Sequence, residues 1–313
     1  MTDARGVVLL AVWNGARFLS AQLKSLDEQT GVAPPALLWR DDGSTDDSCS
    51  IMDAWARTSA SEVRRIQDPQ GRIGSTRSFL ALLAAAPDDA TYFAFCDQDD
   101  VWLPDKCARA ATALRAVPMT RPAIYCTTQL VVDHALNPIG LSPVPARPPG
   151  FNNALVQNIV TGCTAVLNPA ARRLLLAAPP PPERQWHDWW AYLLVTAAGG
   201  QVLVDPTPAV LYRQHSANSV GAETRLAARM VRALKRGPNT FIGMLGGNLE
   251  ALAAAAPLLS AEANATVERL RGMRNCGPLG RLRLAWQAGL YRQTHLQQAA
   301  LAAWLLLGRM PKR

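Results

Sequence analysis

Three carboxylates stand within four residues at Asp97-Gln98-Asp99-Asp100, directly after the apolar run Phe93-Ala94-Phe95-Cys96. Such a cluster is disfavoured unless something cationic offsets the repulsion. Mg²⁺ and Mn²⁺ take carboxylate and phosphate oxygens together. On an extended segment, positions two apart face the same side, so Asp97 and Asp99 can share one ligand site. A solvated acidic turn, or a helix cap before Pro104, is the competing reading. The strand-like run before the acids weighs against it.

Three further constellations carry chemistry. Asp41-Asp42-Gly43-Ser44 offers two acceptors for a base N–H or a ribose hydroxyl, with Gly43 allowing a tight turn. Capping alone accounts for Ser44 and Asp47 but leaves two acids before the glycine unexplained. His187-Asp188-Trp189-Trp190 places an acid among aromatics, where desolvation strengthens a base. Asp188 also suits the start of a helix running through Tyr192 and Val195. In Tyr212-Arg213-Gln214-His215, His215 is a candidate third metal ligand and Arg213 can face a diphosphate. A histidine in such a place also serves structural or surface roles.

The elements that must position these groups alternate in type. Residues 7–12 form a continuous apolar run, as in a strand buried on both faces. Asn14-Gly15 turns the chain, and Phe18, Leu19, Leu23 and Leu26 follow at helical spacing. Residues 36–39 predict a second strand. Ser44 and Asp47 predict a capping box opening the next helix. Residues 62–67 predict an edge strand with paired arginines, and residues 91–96 a strong strand. Strands alternating with helices imply a mainly parallel α/β sheet, whose ligands bind at strand carboxyl ends. Both acidic clusters fall at such ends. Residues 142–150 and 179–182 are proline-rich connections. Residues 223–313, rich in Ala, Leu and Arg, predict a helical C-terminal extension to a domain spanning 1–222.

Composition bounds the partners. The chain has 313 residues, 49% hydrophobic, with a formal net charge of +8. That charge suits an anionic partner. The basic residues lack an interleaved aromatic platform, which argues against nucleic acid. The six cysteines show no CxxC pair, consistent with free thiols in a cytoplasmic protein. The apolar stretch 299–307 is short of the roughly 20 residues needed to span a bilayer.

Taken in order, these segments resemble a family 2 glycosyltransferase of the GT-A fold, and more narrowly the rhamnosyltransferase-like enzymes. The resemblance rests on residues 10–15, 40–46, 95–106, 158–168, 187–189 and 211–215, and covers roughly residues 5–221. It implies an inverting sugar transfer from a nucleotide-sugar donor, such as dTDP-rhamnose, to a glycan or lipid-linked acceptor hydroxyl in cell-surface polysaccharide synthesis. It implies that Trp13, Asn14, Asp41, Asp42, Gly74, Gln98 and Arg213 line the nucleotide-sugar site. Asp97 would contact the ribose or metal, Asp99 would hold Mg²⁺ or Mn²⁺, His215 would complete the shell, and Asp188 would be the general base. Two positions depart from the pattern: Trp13 is larger than usual, and residues 70–74 lack the usual Asn-Leu-Gly.

A phosphohydrolase would carry its nucleophilic Asp after the first strand, where this chain has Trp13-Asn14-Gly15. A nucleotidyltransferase would want a Gly-rich basic loop there. The remaining alternative is a non-catalytic nucleotide-sugar-binding or scaffold protein at the membrane. The arginine-rich tail fits peripheral contact with the inner face of the cell membrane, a packed helical subdomain, or a homodimer contact.

Overall fold

The computed structural model describes residues 5–67, 71–183, 185–214 and 226–308, with side chains of 226–236 outside the description. The chain divides into two compact units. The first takes residues 1–143, 160–176 and 203–224; the second takes 144–159, 177–202 and 225–313.

The strands run β1 (Gly6–Val12), β2 (Ala36–Asp41), β3 (Val63–Arg65), β4 (Tyr92–Cys96), β5 (Val101–Trp102), β6 (Ala123–Thr127), β7 (Leu130–Val132), β8 (Pro138–Leu141) and β9 (Val166–Leu167), then β10 (Gln201–Asp205) and β11 (Val210–Arg213), all but the first two residues of β10 in the first unit. Among the described residues a seven-stranded sheet has the order β10-β6-β9-β4-β1-β2-β3. Strand β1 pairs in parallel with β2, Val12 opposite Asp41, and with β4, Leu10 opposite Cys96. Strand β9 is antiparallel to both β4 and β6. The order reverses at β1, which opens a crevice beyond the carboxyl ends of β1 and β4. A second sheet, β5-β11-β7-β8, sets the chain just beyond β4.

The apolar runs behave as buried central strands must. Residues 7–10 of β1 and all of β4 are buried. Helix Ala16–Asp27 buries Leu19, Leu23 and Leu26, the stripe its spacing predicts. Each such side chain contributes about 1.5–3 kcal/mol on burial. Phe79 of helix Ser75–Ala85 meets Phe95 edge-on at 5.3 Å. Strand β3 closes the sheet as the expected edge, shorter than its sequence run.

One local expectation is corrected. Ser44 and Asp47 do not form a capping box; the helix opens later, at Ser48, and its N-cap Asp47 makes no side-chain cap bond. Ser44 Oγ instead accepts from Asn14 N at 3.0 Å. Asp46 accepts from Ser48 N and Oγ and from Ala16 N. A tertiary contact with the loop after β1 outcompeted the local cap.

The second unit is helical. Helix His187–Ala197 is buried on almost every side, as a helix apolar all round should be. The Leu226–Ala254 segment breaks at Gly237 (φ 74°), followed by Pro238. Helices Ala261–Arg271, Pro278–Gln287 and His295–Leu307 follow. The last opens on a true capping box, Thr294 with Gln297. No helix among the described residues is long and apolar enough to cross a membrane.

Candidate active site at the strand ends

Strands β4, β1 and β2 are neighbours, so the chain leaves Cys96, Val12 and Asp41 side by side. Three loops meet there. Trp13 N donates to Gln98 Oε1 at 2.9 Å, and Gln98 Nε2 donates to Trp13 O at 2.9 Å. The amide therefore ties the β4 loop to the β1 loop. Gly15 leaves room for it: a Cβ there would fall 2.3 Å from Gln98 Oε1. Asn14 sits at φ 48°, a left-handed conformation asparagine tolerates, and its Oδ1 accepts from Thr45 N at 2.8 Å.

Asp41 and Asp42 separate into different roles. Asp42 is buried and accepts from Arg40 Nη1 (2.6 Å), Ile73 N (2.7 Å) and Gly74 N (2.9 Å). Arg40 also donates to Ser78 Oγ and to Gly71 O. Asp42 thus anchors the 71–74 turn, where Gly74 takes φ 83°. Asp41 is half-buried, and Ser44 N donates to its Oδ1 at 3.0 Å. Burial alone would raise its pKa, but bonds from Ser44 and Cys49 and the Arg65 charge hold it below the usual carboxylate range. It stays ionised and partly open.

Trp13 is 42% exposed, and the Arg72 guanidinium lies 3.9 Å from its ring centroid. An exposed aromatic face beside a cation suits a base and a phosphate. Arg72 carries no local sequence signal of that position.

The acidic turn is graded by depth. Asp97, Gln98 and Asp99 are half-buried, and Asp100 is buried. Burial pushes the Asp100 carboxyl well above the usual range, and the Asp99 and Asp97 charges push it further. Its Oδ1 accepts from Arg213 N at 3.0 Å. Its Oδ2 has no hydrogen-bond partner within normal distance among the described residues, and the Cys163 thiol lies against the carboxyl. Ligand atoms of Asp97, Asp100 and Cys163 lie within 4.8 Å of one another. The carboxylate oxygens of this turn fit a hard divalent cation; a thiol does not. The cluster joins Asp97 to Asp100 rather than to Asp99, and His215 lies outside the described residues.

Arg213 is the last residue of β11 and is buried. Nε donates to Asp99 O (2.8 Å) and Nη1 to His134 O (2.6 Å), and the guanidinium lies over the Phe18 ring. It braces the acidic turn from within. Lys106, fully buried, puts Nζ 3.4 Å from the Trp102 ring centroid. Neither its depth nor its partner was readable from its neighbours in sequence.

Asp188 belongs to the second unit, in the first turn of His187–Ala197, where a helix N-terminus favours negative charge. It is half-buried, and its Oδ1 accepts from Trp189 N at 2.6 Å. Trp189 Nε1 donates to Ala154 O, and Tyr192 Oη donates to Asn153 Oδ1, which fixes that helix in its unit. All six cysteines are free thiols.

Residues 7–162 match the family model described as Glycosyl transferase family 2. The chain is 25% identical over 241 residues to dTDP-rhamnosyl transferase RfbG of Shigella flexneri, covering 71% of this chain and 77% of that protein. Among solved structures, it resembles S. aureus TarS 1-349 in complex with UDP-GlcNAc at a TM-score of 0.55, with 14% identity over 92% of this chain and 93% of that one. It also resembles the mannosyltransferase PcManGT of Pyrobaculum calidifontis in complex with GDP-Man and Mn²⁺, at a TM-score of 0.54, with 18% identity over 97% and 79% of the two chains. The fold is GT-A, mixed α/β with a helical C-terminal region.

Proposed function

The chain belongs to the family 2 glycosyltransferases through its residues 7–162, and from that premise we propose an inverting, metal-dependent transfer of rhamnose from dTDP-rhamnose to a glycan or lipid-linked hydroxyl. The observation that carries the site is the convergence of the Trp13, Asp41 and Asp97–Asp100 loops at the neighbouring ends of β1, β2 and β4. Rhamnose is favoured by the likeness to RfbG, which is named for that donor. The role is synthesis of a cell-surface polysaccharide, with the protein working at the cytoplasmic side of the membrane.

In this reading Trp13 stacks on the base, with Asn14 and Gly74 shaping the pocket wall. Asp41 accepts from the base or ribose. Gln98 and Arg213 hold the acidic turn in place. Asp97 and Asp99, with His215 as a third ligand, would hold a divalent cation, which would supply positive charge against the leaving nucleoside diphosphate. Asp188 takes the proton from the acceptor hydroxyl as its oxygen bonds to the anomeric carbon and the bond to the diphosphate breaks. Residues 1–222 form the catalytic domain and 223–313 its extension.

The test is thermal stability with dTDP-, UDP- and GDP-sugars, with and without Mn²⁺. A ligand at 100 times its Kd adds about 2.7 kcal/mol to the native state. The expected result is stabilisation by dTDP-rhamnose that requires the metal and is lost in Asp99→Ala. Stabilisation by none of the donors under any metal condition overturns the reading.

A further inference from the structure

Helix Pro278–Gln287 buries a charged side chain and exposes two large apolar ones. Its inward residues are Arg281 and Ala285. Its outward face carries Leu279, 77% exposed, and Trp286, 81% exposed. Spaced at about 100° per residue, Leu279, Arg283 and Trp286 fall on one side and Arg281 on the other. Arg281 is drawn in because its Nη1 donates to the Gly308 carbonyl. Leu279 and Trp286 are left outside, while Leu282 and Leu284 are half-buried.

The charge along this C-terminal stretch of sequence has one sign. No Asp or Glu occurs between Arg269 and Arg313. Arg271 and Arg274 are satisfied by Glu250. Arg283 is exposed and has no ion pair among the described residues. Arg269 is exposed too, and its Nη1 donates to Gln287 O at 3.2 Å, which holds its charge at the end of the same helix.

We propose that the Leu279–Arg283–Trp286 face, with Arg269 beside it, docks on an anionic phospholipid surface. Tryptophan and leucine enter the headgroup–acyl boundary while arginines meet lipid phosphates. Indole suits that boundary because one edge is apolar and the N–H is polar. A second copy of the chain fits less well. A two-fold contact through this face would oppose Arg283 to Arg283, and Arg283 has no ion pair among the described residues to offset that repulsion.

The test uses the full-length protein and vesicles of phosphatidylglycerol or of phosphatidylcholine. Wild type should co-sediment with the anionic vesicles and lose binding as salt rises. Trp286→Ser and Arg283→Glu should each weaken that binding by roughly tenfold. Both sites are exposed, so thermal midpoints and transfer to a soluble acceptor should not change. That separates this proposal from the catalytic one. Equal sedimentation with both lipids, or variants that bind like wild type, overturns it. So does a wild-type dimer that Trp286→Ser converts to monomer with vesicle binding unchanged.

Discussion

Gln98 and Trp13 hold each other by both ends of one amide: Trp13 N–H donates to Oε1 and Nε2–H donates to Trp13 O, each at 2.9 Å. The pair spans 85 positions of sequence and fixes the acidic turn against the loop that presents the Trp13 ring.

Only an amide can both accept and donate here. Gln98→Glu loses the donor and adds a fourth carboxylate. Gly15→Ala pushes its Cβ into the same amide. Each should raise the donor KM roughly tenfold, the size expected for one lost hydrogen-bonded link. The double variant should cost little more than either single change, because both break one link. Full additivity in steady-state kinetics counts against the link.

The two neighbouring acids should separate cleanly. Asp42→Ala strands the buried Arg40 guanidinium and frees Ile73 N and Gly74 N, so it should cost about 3–5 kcal/mol in urea unfolding. Asp41→Ala, beside a half-open ion pair with Arg65, should cost under about 1 kcal/mol. Its effect should fall on donor KM. Equal stability losses would contradict the division.

Asp188→Asn keeps the shape and removes the base. The expected loss in kcat is about a hundred- to ten-thousand-fold, with donor binding unchanged in thermal shift. Turnover near the wild-type rate sinks the base assignment.

Next to it, burial holds the His187 pKa down at about 3. An unfolded histidine titrates near 6.5. Below that pH the unfolded chain takes up a proton that the folded chain refuses. The stability from this group is therefore full above pH 6.5 and lost as pH falls towards 3, at about 1.4 kcal/mol per pH unit. His187→Gln should flatten the slope of stability between pH 6.5 and 4.5. An unchanged slope would show that other groups set it.

The sequence by itself determined what depends on near neighbours. Apolar runs at 7–12 and 91–96 had to be buried strands, and Leu19, Leu23 and Leu26 had to share a helix face. Placing both acidic clusters at strand ends followed from the same pattern. What the run of residues left open is which partner each polar group meets. Asp41 and Asp42 look alike in sequence, yet one meets Arg40 and the 71–74 turn while the other stays partly open. Arg213 turned inward because the carbonyls of Asp99 and His134 lie 114 and 79 positions away in sequence. Ser44 gave up a helix cap for Asn14, 30 positions back. Burial pattern is a local property of periodicity, whereas a hydrogen bond is settled by whichever group the tertiary structure brings within about 3 Å.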